Sequence, residues 1–186
     1  MIAEDETIIR LDLASMLGRA GFEVVAEARD GAEAIELARE TTPDLALLDV
    51  RMPGVDGIDA ARAMLEERPI PIVMITAYSQ REVVARAVEA GVFGYLVKPF
   101  READLVPAIE TARARHAELL AVRAESDSLR DALAARKMIE RAKGLLMERD
   151  GLSESEAFGR MRAAAQRTGK TLQEIAEAVS ETYAPP

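Results

Sequence analysis

The sequence predicts an α/β fold, a doubly wound five-stranded parallel sheet, followed by a long helix and a small three-helix module. Three observations carry that expectation. Short apolar runs alternate with amphipathic stretches up to about Lys98, the pattern of repeated βαβ units. One run, residues 45–48, is unbroken between a Pro-Asp turn and a Met-Pro-Gly turn, as a strand buried on both faces requires. From Leu105 to about Ala135 only Pro107 interrupts a helical pattern, and apolar positions then recur at spacings of three and four.

Strands are expected at 1–3, 24–28, 45–48, 72–75 and 95–97. Helices are expected at 6–20, 32–40, 57–67, 80–90 and 102–114, punctuated by Gly21, Gly31, Gly54, Gly91 and Gly94. The first strand is short, because three residues precede an acid pair; a sequence lacking a few N-terminal residues would look like this. In the connecting helix, Pro107 is tolerable within a first turn. Ala112, Leu119, Val122, Leu129 and Leu133 form a near-heptad seam broken by Ser126. Coiled-coil pairing and packing on the chain's own C-terminal helices both account for it. His116, the only histidine, lies beside the seam, where packing or exposure explains it better than ligation. Residues 136–186 read as one long helix and two shorter ones. Ser153 with Glu156 and Thr171 with Glu174 are capping boxes, and Gly151 and Gly169 close the helices before them. The domain boundaries expected are 1–108, 109–130 for a helical linker, and 131–186.

Composition narrows the function. There is no cysteine, which removes disulfides and thiolate metal cages and suits a reducing cytoplasm. No apolar run approaches the roughly 18 to 20 residues of a membrane span, and the start, Met1-Ile2-Ala3 followed by Glu4-Asp5-Glu6, lacks the basic region of a signal peptide. The net charge of −9 is unevenly held. Residues 1–109 contain 20 acids against 11 bases, whereas residues 110–186 contain 13 of each, so the second part is free to carry a basic face.

Because parallel strands end at one edge, Glu4, Asp5, Asp49, Thr76 and Lys98 should gather in the crevice where such sheets bind ligands. Taken singly, Asp49 could form a turn, Thr76 could satisfy a backbone group, Lys98 could be a solvated charge and Tyr95 a core residue. Together, at the ends of strands one, three, four and five, they make a constellation. Three carboxylates repel one another unless a cation sits among them, and oxygen-only ligands suit Mg²⁺.

Over residues 1 to about 104 this pattern resembles the response-regulator receiver domain, which has a flavodoxin-like fold. The resemblance implies that Asp49 accepts a phosphoryl group from a histidine kinase. It implies Mg²⁺ as cofactor, bound by Asp5, Asp49, the backbone carbonyl of Arg51 and, through water, Glu4. Thr76, followed by Ala77, would be the switch hydroxyl, Tyr95 the switch aromatic, and the Lys98-Pro99 bond would be cis.

The run Glu140-Arg141-Ala142-Lys143-Gly144-Leu145-Leu146-Met147 and the start Ser153-Glu154-Ser155-Glu156-Ala157-Phe158 resemble the ANTAR family of RNA-binding output modules. Gln166 departs from it, standing where the family often has an apolar residue. The resemblance implies a homodimer that binds paired RNA hairpins and favours transcription antitermination, with Arg136, Lys137, Arg141, Ala142, Lys143, Gly144, Arg162 and Ala165 as candidate contacts. Helical spacing places Lys137, Arg141 and Gly144 near one face, and small residues allow close approach. With Phe158 read as core and Tyr183 at the tail, stacking would fall to arginine planes. Two rivals remain. One is a DNA-binding response regulator, for which 155–167 is a poor recognition helix; the other is a switch that docks only on protein. An enzyme with turnover is not expected.

Overall fold

The computed structural model describes residues 1–77 and 81–183, with 81–84 described by backbone alone. Gln80, the expected start of the fourth helix, lies outside them. The elements are β1 (Ile2–Ala3), α1 (Thr7–Arg19), β2 (Glu27–Ala28), α2 (Gly31–Thr41), β3 (Ala46–Asp49), α3 (Gly57–Glu67), β4 (Ile72–Thr76), α4 (Arg81–Glu89), β5 (Gly94–Val97), α5 (Glu102–Asp150), α6 (Glu154–Thr168) and α7 (Leu172–Thr182). The five strands pair in parallel in the order β2-β1-β3-β4-β5, which puts the reversal of strand order between β1 and β3. Helices cover both faces, as right-handed crossovers between parallel strands demand.

The chain divides into two compact units, 1–120 and 121–186. In the first, the period of two sorts side chains to opposite faces of the sheet. Leu48, Ile72 and Met74 pack with Ala34, Ile58 and Met64 of α2 and α3. Leu47, Val73 and Ile75 pack with Leu13 and Leu17 of α1 and with Leu105 and Ile109 of α5. Strands buried on both faces explain why these runs are continuous rather than alternating. In the second unit, Ala142, Leu146, Ala157, Met161, Ile175 and Ala176 share a small core. Both expected capping boxes are present, and Gly151 and Gly169 take positive φ of 67° and 70°.

One difference from the sequence expectation concerns α5. The last helix beside the sheet, the connecting helix and the first helix of the C-terminal module are a single element of 49 residues. Because α5 starts at Glu102, Pro107 lies in its second turn rather than its first. The ring leaves the carbonyl of Ala103 without an i+4 donor, a cost that burial of Leu105 and Ile109 offsets. Val122, Leu129 and Leu133 are exposed, so the seam does not pack on α6 or α7.

Candidate functional site

The C-terminal ends of the strands bring the expected residues together. β3 ends on Asp49, which is 5% exposed. Its position is fixed on both sides. The N–H of Val50 donates to the Ile75 carbonyl at 2.8 Å, and the N–H of Gly57 donates to the Val50 carbonyl at 3.0 Å. Glu4, just past β1, is fully buried; its N–H donates to Ala28 and its carbonyl accepts from Arg10. Asp5 is exposed. Carboxylate oxygens of Glu4, Asp5 and Asp49 all lie within 4.8 Å of one another. From the end of β5, Lys98 extends its ammonium to 2.7 Å from Glu4 and 3.1 Å from Asp49. The Lys98-Pro99 bond is cis.

The charges are not balanced. Burial pushes the Asp49 carboxyl above its usual range, with the Asp5 charge adding to the rise, while Lys98 and the backbone N–H of Arg51 only partly oppose it. Burial raises Glu4 as well, again against the pull of Lys98. One ammonium facing three carboxylates leaves negative charge unmatched, and a divalent cation with oxygen ligands fits that donor set. For Lys98, burial would lower the pKa, but Glu4 and Asp49 together carry it above the ordinary value. The stability it contributes is therefore present at neutral pH and lost only as pH rises through that raised value. Lys98→Ala leaves two buried carboxylates without their partner and should cost roughly 3 kcal/mol in a denaturant titration. The loss should shrink when Mg²⁺ is added.

Thr76 is buried at the end of β4, and its carbonyl accepts from the N–H of Lys98 at 2.8 Å. Tyr95 is 56% exposed rather than core. It borders a cavity of about 90 Å³ that Thr76, Val50, Met74, Ala87 and Phe93 also line. A buried threonine and an aromatic residue at the surface thus line one cavity.

In the second unit the candidate contacts fall into two groups. Arg136, Lys137, Arg141, Gly144 and Arg162 are exposed, and Ala165 is half-buried. Lys137 and Arg141 line one groove with Ala134 and Met138, and Glu177 and Glu181 of α7 face it. Two candidates need correction. Ala142 is fully buried in the module core, so it cannot meet RNA directly; its small size serves helix packing instead. Lys143 is 8% exposed, with its ammonium 2.8 Å from both Glu140 and Glu154, so its charge is already matched. Phe158, read as core, is 39% exposed. Tyr183 is not a loose tail: it packs on the core, and its hydroxyl donates to Asp150 at 2.8 Å.

Comparison with known families agrees with this geometry. Residues 1–110 match the response regulator receiver domain, and residues 127–179 match the ANTAR domain. This chain is a response regulator. Over all 186 residues the regulator is 50% identical to the transcriptional regulatory protein PdtaR of Mycobacterium tuberculosis, covering 91% of that protein. Its receiver is 37% identical over 110 residues to the chemotaxis protein CheY of Bacillus subtilis, covering 59% of this chain and 92% of that one. Among solved structures it resembles the receiver domain of the response regulator NarL of M. tuberculosis, with a TM-score of 0.58, 36% identity and coverage of 60% and 93%. The response regulator is thus a two-component protein with a receiver and an ANTAR output domain, a family of regulators rather than enzymes. Among its described residues no helix is long and apolar enough to cross a membrane.

Sequence reasoning about the response regulator missed the exposure of Phe158. An aromatic at the fifth position of a helix beside buried Ala157 reads as core by hydrophobicity alone. The signal that could have found it is helical phase: Ala157 and Met161, four apart, already occupy the inward face of α6, and Phe158 is rotated about 100° from it.

Proposed function

We propose that Asp49 is the phosphoacceptor for a histidine kinase in the cytoplasm, and that its phosphorylation controls binding of the ANTAR domain to paired RNA hairpins, causing transcription antitermination. The observation that carries the reading is Lys98 bridging Glu4 and Asp49 inside an acid cluster at the end of β3. An oxygen of Asp49 attacks the phosphorus, the bond to the kinase histidine breaks, and an acyl phosphate results. Asp5, Asp49 and the Arg51 carbonyl, with Glu4 through water, would hold Mg²⁺. Bound there, the ion supplies charge neutralisation on the transferring oxygens.

The chain's own groups do the rest. Phosphorylation adds about two negative charges, with which Lys98 pairs and to which Thr76 donates a hydrogen bond. Drawing Thr76 toward the phosphoryl group enlarges the cavity it shares with Tyr95, and the ring moves inward from its exposed position. That changes the surface of α4 and β5. The exposed seam of Val122, Leu129 and Leu133 supports pairing of two chains through α5. A dimer presents two ANTAR domains to two hairpins and raises the effective concentration of the second contact.

In this reading Lys137 and Arg141, exposed on one groove, meet RNA phosphates. Lys137→Ala combined with Arg141→Ala should weaken binding to paired hairpins about tenfold and reduce the salt slope by about two, without lowering the thermal midpoint. Gel shifts with paired hairpins and double-stranded DNA, using phosphorylated and unphosphorylated protein, test the whole reading. Preference for DNA would favour the DNA-binding alternative. Binding of neither would leave a protein-docking switch.

A further inference from the structure

The second unit buries few large side chains, yet it exposes an aromatic ring. On α6, Ala157 and Met161 face the core, while Phe158 stands 39% exposed. The Lys143 ammonium lies 6.0 Å from the centre of that ring, within range for a cation over an aromatic face. It is held there by Glu140 and Glu154 at 2.8 Å each. A lysine with two carboxylate partners is poorly placed to clamp a phosphate, and its ammonium is instead fixed beside the ring. Gly144, which follows Lys143 in α5, is exposed, and a Cβ there would meet nothing within 4 Å. One turn beyond Phe158 on the same side of α6, Arg162 is exposed.

We propose that Phe158 is a stacking platform for one unpaired base of the bound RNA, with Lys143 as its positioning residue and Arg162 holding the adjoining phosphate. The assignment rests on the RNA-binding reading above and names the part of the RNA this surface takes. A flat exposed ring, with the paired Lys143 ammonium 6.0 Å from its centre and Arg162 one turn further along α6, complements a nucleotide splayed from a loop. Nucleobases stack on such rings with little regard to sequence, so the platform contributes affinity while other contacts choose the site.

The test uses the full chain, which contains no tryptophan. Phe158→Trp therefore introduces a single indole. Its fluorescence should be quenched by an RNA carrying two hairpins with unpaired loops, and not by a blunt RNA duplex of equal length. Phe158→Leu should weaken hairpin binding about tenfold with the salt slope unchanged, since no phosphate contact is lost. Phe158→Tyr, which keeps the flat ring, should bind like the parent. Equal quenching by duplex, or an unquenched indole in a bound complex, overturns the platform. If Phe158→Leu lowers the thermal midpoint, the indole quenching decides. A parent protein that binds no hairpin overturns the RNA-binding reading and this assignment together. A parent that binds while Phe158→Leu binds equally well overturns this assignment alone.

Discussion

Asp49→Asn should eliminate phosphoryl incorporation from a cognate kinase or a small phosphodonor, measured by mass or by phosphate-affinity electrophoresis. The amide retains the shape of the carboxylate but lacks the anionic nucleophile. Labelling that persists would place the acceptor elsewhere. The same change should stabilise the metal-free protein by on the order of 1 kcal/mol, a rise of several degrees in Tm. Burial and the Asp5 charge hold the Asp49 carboxyl above its usual range. The folded state then binds a proton more tightly than the unfolded chain, and stability falls as pH rises from the ordinary value of 3.8 through the raised one. Asp49→Asn removes that part of the decline. A variant that loses labelling without gaining stability would show that Lys98 already satisfies the site's charge.

Gly57→Ala should destabilise the receiver by about 3 kcal/mol or more, read by chemical denaturation, and slow phosphorylation of whatever remains folded. A Cβ on Gly57 would lie 1.9 Å from the Asp49 carbonyl oxygen and 2.8 Å from its carbonyl carbon. Backbone atoms cannot rotate aside as a side chain can, so α3 or the end of β3 must move. Either shift breaks the 3.0 Å hydrogen bond from the N–H of Gly57 to Val50 and displaces the strand end that carries Asp49. Gly18, where a Cβ would meet nothing within 4 Å, is the matched control. Gly18→Ala in the last turn of α1 should be neutral or slightly stabilising.

The receiver fold was legible because burial on both faces of a parallel sheet writes itself as continuous apolar runs, as at Leu47 and Leu48 or from Ile72 to Ile75. The candidate acidic site was legible for a related reason. Parallel strands share one edge, so Asp49, Thr76 and Lys98 could be placed at it without distances. The helical module was harder. Period and capping marked its three helices, but helix phase determines which side chains meet solvent. A residue type does not report phase, and Ala142, Lys143 and Phe158 each stand differently from the roles their chemistry suggested. Continuity of α5 was also hidden, since three helical patterns in succession do not reveal whether the backbone breaks between them.

The sequence by itself determined the order of strands and helices, the caps at Ser153 and Thr171, and the gathering of acids and a lysine at one sheet edge. These follow from periodicity, local hydrogen bonding and chain direction, which act over a few residues or are imposed by the parallel sheet. The tertiary structure alone decided that Lys98 spans Glu4 and Asp49, that Gly57 has no room for a Cβ, and that Lys143 is matched by Glu140 and Glu154 beside an exposed ring. The physical reason is that ion pairing and steric exclusion depend on separations of a few ångströms between residues as far apart in sequence as 4 and 98, and those separations exist only once the layers have packed.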